Sequence, residues 1–244
     1  MTFNASKYFF MTQDELKILL YEELKLCGYH PVMEETYLYA EGDIPIALSA
    51  HLDTVFPEKT RKNLHARIIK ESNILFAEEG LGADDRAGVI MIMKIVMTTK
   101  LRPHIIFTTN EESDLRGAID LALAPMPFTD LGYIIQLDRR GQDDCVFYDN
   151  TNRGFQKYIN SFGFTTARGS YTDISVICPH WGVAGVNLSV GYVNEHTVLE
   201  MLYVDWWKQT YKKVLVMLKR YAGEHWIHIE NKYKENYLYA RSSS

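Results

Sequence analysis

Apolar residues recur along this chain with two periods, and together the periods predict its elements. Over residues 11–27, Leu16, Ile18, Leu19, Leu20, Leu24 and Leu26 fall at helical spacing. Thr12 and Glu15 form a capping pair before that run, and Gly28 follows it. The run GVIMIMKIVM within 86–99 predicts a largely buried helix. Residues 198–221 predict a long helix with an inner stripe of Leu199, Leu202, Trp206, Val214, Leu218 and Tyr221. Shorter helices are expected over 115–123, 152–162 and 172–178, the last stopped by Pro179. Apolar runs bounded by turn residues predict strands over 37–39, 44–50, 104–109, 132–137, 145–148 and 184–190. A hairpin of 64–69 with 74–77 is expected around Glu71, Ser72 and Asn73. Alternating strands and helices indicate an α/β chain, a three-layer α/β/α sandwich with a mixed central sheet.

Composition narrows the function. The 244 residues, 47% hydrophobic, can bury a sizeable core as one domain over 1–244. A net charge of -5 argues against nucleic acid, which usually meets a basic face. No apolar run reaches bilayer length, so no membrane partner is expected. Residues 1–10 hold one Lys and no long apolar stretch, so no secretory signal is expected either. Cys27, Cys145 and Cys178 are few and far apart, which suits buried thiols in a reducing, cytoplasmic setting better than disulfides or a thiolate metal site.

The candidate chemistry lies at the ends of the strands. His51 follows the strand 44–50, with Asp53 two residues on. Gly82-Ala83-Asp84-Asp85-Arg86 opens the buried helix. Asn110-Glu111-Glu112 follows the strand 104–109, Asp138 ends 132–137, and Asn194-Glu195-His196 follows 184–190. An open α/β sheet binds its ligands outside the carboxyl ends of its strands. That edge would gather His51, Asp84, Glu111, Glu112, Asp138 and His196. Two imidazoles with several carboxylates suit zinc, cobalt or manganese. The simplest use of six such groups is two metal ions. Asp84 would bridge them, His51 and Asp138 completing one and Glu112 and His196 the other. Three carboxylates against two divalent cations leave one positive charge, which a bridging hydroxide neutralises. Glu111, left without a metal, is the natural general base.

In that order, SAHLDTV, GLGADDRAGV, TTNEES, IQLD and NEHT resemble the motifs of the co-catalytic di-zinc exopeptidases, a group that includes single-domain zinc aminopeptidases, peptidase T and glutamate carboxypeptidase-like enzymes. The resemblance implies the zinc-exopeptidase fold, of phosphorylase/hydrolase type, and a small peptide or amide substrate. It assigns His51, Asp84, Glu112, Asp138 and His196 as metal ligands and Glu111 as general acid/base. Asp53 becomes the carboxylate behind His51, and the Asp84–Asp85 peptide is expected to be cis. Neither inter-motif gap has room for the lid or dimerisation domain of larger relatives, which leaves a bare catalytic domain, monomer or homodimer. A lid's oxyanion-binding group would then need a substitute, for which Tyr171 and Tyr192 are candidates. Asp173 resembles a residue near the substrate, where it could meet a free α-amino group.

Each residue also has a plainer use. His51 could be a hydrogen-bonded structural histidine, Asp84 and Asp85 a helix cap, and Glu111 and Glu112 a solvated helical turn. Asp138 could pair with Arg139 or Arg140, and His196 could cap the last helix. Arg86, Arg116, Arg139 and Arg153 could meet a substrate carboxylate or be solvated. The same di-metal chemistry would serve an amide deacylase or a cell-wall amidase, and the fold could also persist as an inactive metal-binding scaffold.

Overall fold

The computed structural model describes residues 6–61 and 69–230. A single 3-10 turn at Ser6–Phe9 leads into α1 (Gln13–Leu26), then β1 (Val32–Met33), β2 (Tyr37–Ala40), β3 (Ile44–His51) and a short α2 (Glu58–Arg61). The hairpin β4 (Ile69–Glu71) and β5 (Ile74–Phe76) precedes α3 (Ala83–Thr98) and β6 (Pro103–Thr108). Next come α4 (Glu111–Asp114), α5 (Arg116–Leu123), β7 (Tyr133–Arg139), β8 (Asp144–Val146), α6 (Arg153–Asn160) and β9 (Thr165–Thr166). The chain continues through α7 (Asp173–Trp181), β10 (Gly185–Ser189), β11 (Tyr192–Val193), β12 (Met201–Tyr203) and α8 (Val204–Arg220).

Eight strands form a mixed sheet in the order β1-β2-β6-β3-β7-β10-β8-β9. Its centre, β6-β3-β7-β10, is parallel, while β2 and β8 flank it antiparallel. These central strands read as continuous apolar runs because helices cover both faces. Successive residues alternate between two cores, as the two-residue period of a strand requires. Ile46, Leu48, Ala50, Ile105, Phe107, Ile135 and Leu137 face α1, α3, α6 and α8. Ala47, Ile106 and Ile134 face α5 and α7. The sequence's three-layer α/β/α architecture is what the chain adopts. After β3 the chain crosses to β6 on one side and then to β7 on the other, so the strand order reverses at β3 and opens a crevice beyond its carboxyl end.

Local signals explain several boundaries. Thr12 caps α1 and Glu15 reaches back to the Thr12 N–H, 3.0 Å away, as the sequence predicts. Asn152 caps α6 rather than opening it. Other boundaries depart from the pattern. Helix α7 runs through Pro179 to Trp181 and ends at Gly182, whose φ is 67°. Proline near a helix end has a fitting φ and forfeits only its own N–H bond, so the left-handed glycine sets the stop. The hairpin takes Lys70 and Glu71 into β4, because Ser72 and Asn73, with φ of 48° and 62°, form a two-residue turn. The part of the expected first hairpin strand at 64–68 lies outside the described residues.

Helix α8 starts at Val204, not 198. Thr197 Oγ1 accepts from Leu199 N–H (3.2 Å) in a local turn, and Met201–Tyr203 pair with β5 in a second sheet, β11-β12-β5-β4. Leu199 is therefore exposed. The buried stripe of α8 is Trp207, Thr210, Val214, Met217 and Leu218, with Trp207 Nε1 donating to Ala87 O (2.9 Å). No helix among the described residues is long and apolar enough to cross a membrane.

Candidate metal centre

Five segments meet at the carboxyl edge of the sheet, in the crevice beside β3. His51 ends β3 and is 1% exposed. Its Nε2 lies 3.1 Å from Asp84 Oδ1 and 3.5 Å from Asp138 Oδ1. The second carboxylate oxygen of Asp84 lies 3.2 Å from His196 Nε2, which is in turn 3.0 Å from Glu112 Oε2. Asp84 thus spans two imidazoles with its two oxygens, and each Nε2 has one further carboxylate beside it, Asp138 at His51 and Glu112 at His196.

The approach of α3 to the sheet places Asp84. The Asp84–Asp85 peptide is cis, and regular helix begins only after Asp85. Asp85 accepts from Gly88 N–H (3.0 Å) and caps the helix, which leaves Asp84 to face the crevice. Gly88 is required by close packing, since a Cβ there would lie 2.2 Å from Leu137 O. Asp85 also lies within ligand distance of His51 and Asp138. Its Oδ1 bonds Gly88 and its Oδ2 is buried without a partner; Asp84, not Asp85, lines the cleft, which makes Asp84 the better-placed ligand.

Asp53 fixes the orientation of two neighbours. Its Oδ1 is 3.3 Å from His51 Nδ1 and accepts from Glu111 N–H (3.0 Å), while Oδ2 accepts from Glu112 N–H (2.9 Å). Asn110, at φ 59°, makes the left-handed turn that aims both amides at Asp53. A carboxylate behind a ligating imidazole sets its ring orientation and raises its basicity. Asp138 is held by Gln136 Nε2 (2.9 Å) and Thr172 Oγ1 (2.8 Å) on Oδ2 and by Tyr192 OH (3.2 Å) on Oδ1. Oδ1 is the oxygen that faces His51.

The electrostatics follow from crowding carboxylates out of water. Burial first, then Asp138, Asp173 and Glu112, pushes Glu111 up to about 9 against the opposing charge of His51. Burial, then Asp84 and Asp138, pushes Glu112 up to about 8. Burial would also raise Asp84, but bonds from His196 and His51 outweigh it and hold Asp84 below the ordinary carboxylate range. Burial disfavours a charged His51, yet Asp138, Asp53 and Asp84 together raise it well above the usual histidine range. Carboxylates this close are relieved either by protons or by cations. Glu112 Oε1 is buried without a partner, and one proton on His51 Nε2 cannot serve both Asp84 and Asp138. The donor set therefore fits two divalent cations with oxygen and nitrogen ligands.

The remaining expected residues are placed less evenly. Glu111, Tyr171 and Tyr192 border the cleft beside the centre. Tyr171 is 76% exposed at its rim, and the hydroxyl of Tyr192 is committed to Asp138. Asp173, expected near an α-amino group, is fully buried; its Oδ2 accepts from Thr108 and its Oδ1 has no hydrogen-bond partner among the described residues. Arg86 is buried and donates to the carbonyls of Tyr8 (2.9 Å) and Met11 (3.0 Å), a structural role. Arg139 lines the cleft and donates to Arg168 O (3.2 Å).

Three residues in the site were not foreseen from the sequence. Tyr148 lines the cleft, and its oxygen accepts from Asn187 Nδ2 (3.0 Å). Glu200 and Arg61, both buried, hold the loop before Asp84. A charged residue inside the apolar run Val198-Leu199-Glu200-Met201-Leu202 was the available signal for Glu200.

The sequence matches no protein-family model. No curated protein matches it either. Solved structures share its fold. It is similar to the aminopeptidase PepT of Bacillus cereus ATCC 10987, at a TM-score of 0.72 and 15% identity, covering 88% of this chain and 95% of that one. It is also similar to a tripeptidase of Staphylococcus aureus (TM-score 0.70, 14% identity, 88% and 95% covered). An endoglucanase of Thermotoga maritima shares the fold too (TM-score 0.60, 11% identity, 89% and 97% covered). These likenesses show the fold, and the fold alone does not decide the chemistry.

Proposed function

We propose that this chain is a metal-dependent exopeptidase of aminopeptidase type that holds two divalent cations, zinc foremost, with cobalt or manganese as alternatives. The observation that carries this reading is the span of Asp84 between His51 and His196, at 3.1 and 3.2 Å. His51 and Asp138 would complete one ion, Glu112 and His196 the other, with Asp84 shared. Such a pair polarises a carbonyl oxygen and makes water a nucleophile near neutral pH.

The chain's own groups would do the rest. Glu111 takes the proton of the attacking water and returns it to the departing amine, its backbone fixed by Asp53. Tyr148 supplies the oxyanion donor. Asn187 Oδ1 accepts from Asp138 N–H (2.9 Å), so Asn187 Nδ2 must be the donor to Tyr148. The phenol oxygen is therefore an acceptor, and its own proton is free for a carbonyl oxygen in the cleft. In this reading the chain acts as one catalytic domain without a lid.

The protein loaded with each metal in turn, assayed on aminoacyl anilides, N-acetylated peptides, carboxy-amidated peptides and muropeptides, tests the proposal. Turnover should require a free amino terminus and disappear with chelator. Turnover of N-acyl amides or muropeptides alone would make it a deacylase or an amidase instead. No turnover of any substrate with both ions bound would reject the enzyme reading.

A further inference from the structure

Among the described residues, the two halves of the centre are supported differently. His51 ends β3, Asp138 lies one residue before the end of β7, and the Asp138 carboxylate accepts from four side chains. His196 sits on an irregular strap with its side chain 51% exposed. Asn194 and His196 both adopt left-handed backbone, at φ 58° and 62°. Such values are uncommon for residues other than glycine and persist only where neighbours hold them. Local bonds hold this strap: Thr197 Oγ1 donates to Asn194 O (2.8 Å), Asn194 Nδ2 to Leu199 O (3.3 Å), and Glu200 N–H to Thr197 O (3.0 Å).

The far end of the strap is held by the β12 pairing that begins at Met201 and by one buried side chain. Glu200 is 0% exposed; its Oε2 accepts from Ala83 N–H (2.8 Å) and its Oε1 from Asp84 N–H (3.1 Å). Both oxygens are committed to the consecutive amides that set the Asp84 backbone. From the other side Arg61, 1% exposed, donates to Leu81 O (2.8 Å) and Gly80 O (3.0 Å), which holds the preceding carbonyls. Burying a carboxylate is costly unless its hydrogen bonds are made, and an apolar side chain would fill the same space without that cost. The position is explained by what Glu200 joins: a strap carrying one ligand and a backbone carrying the shared one.

We infer that Glu200 is a positioning residue that sets His196 against Asp84, so that its loss weakens the ion held by Glu112 and His196 more than the ion held by His51 and Asp138, because Arg61 and α3 still steady the Asp84 backbone while nothing else buried among the described residues ties the strap to it. This rests on the two-cation reading above. Glu200→Gln keeps the volume but turns an amide donor toward a backbone N–H. Glu200→Asp keeps the charge but shortens the reach, and serves if the first variant does not fold.

Metal-free wild type and both variants are titrated with zinc by calorimetry, beside His196→Ala and the double variant Glu200→Gln/His196→Ala. Wild type should bind two ions. Each Glu200 variant should bind one ion at least ~10-fold more weakly, as for loss of a group supporting a ligand, and the other with a clearly smaller loss. In the His196→Ala background, Glu200→Gln should cost much less than it does in the wild type. Excess zinc should restore kcat at unchanged KM, which a general loss of stability would not allow. Two unchanged ions in the variants, or equal weakening of both, overturns the inference and leaves the two-cation reading intact. Fewer than two ions in wild type overturns that reading itself.

Discussion

Glu111→Gln should keep both metal ions and lose at least ~100-fold in kcat. The side chain changes by one atom and the Glu111 N–H remains bonded to Asp53, 3.0 Å away, so the turn that carries Glu112 keeps its place. What disappears is a group able to take a proton from water and return it to an amine. A positioned acid/base contributes ~100- to 10,000-fold, and this loss should fall on kcat rather than KM. Metal analysis with steady-state kinetics on the best aminoacyl substrate checks it. Unchanged kcat would place the base elsewhere in the cleft.

Asp84→Ala should release both ions at once. In the proposed centre every other ligand would serve one side: His51 and Asp138, or Glu112 and His196. Among the described residues only Asp84 offers one oxygen to each imidazole, at 3.1 and 3.2 Å. Affinity for each ion should fall at least ~100-fold, beyond the 10- to 100-fold seen when an outer partner of a ligand is lost. His51→Ala, by contrast, should weaken one ion first. The metal-free Asp84→Ala chain should remain folded, because the substitution removes a buried charge from a crowd of carboxylates. Metal content after dialysis, with circular dichroism as the folding control, is the measurement. An Asp84→Ala chain that kept either ion at wild-type affinity would show that Asp84 does not bridge.

Much of this was readable from the order of residues. Central strands announce themselves as apolar runs, and the crevice beyond their carboxyl ends is where polar residues at those ends must meet. His51, Glu111, Glu112 and Asp138 follow from that one rule, while Asp84 opens α3 after the second sheet's hairpin and His196 lies on the strap after β11. What stayed hidden depends on partners distant in sequence or on backbone geometry. Val198 to Tyr203 has helical apolar spacing, yet the pairing of Met201–Tyr203 with Ile74–Phe76 overrides it. Glu200 acts on amides over a hundred positions away, and Arg61 on carbonyls. Tyr148 gains its role only from the orientation of Asn187, itself fixed by Asp138. The burial of Asp173 beneath the site, with one oxygen on Thr108, is likewise not visible in a segment that resembles a substrate loop.

Metal stoichiometry bears most directly on the whole account. Protein purified without chelator, or reconstituted with zinc and freed of excess, should contain two ions per chain by elemental analysis, both removed by chelator and both restored on reloading. One ion or none at saturating zinc would contradict a shared Asp84, and with it the hydrolase built around that residue.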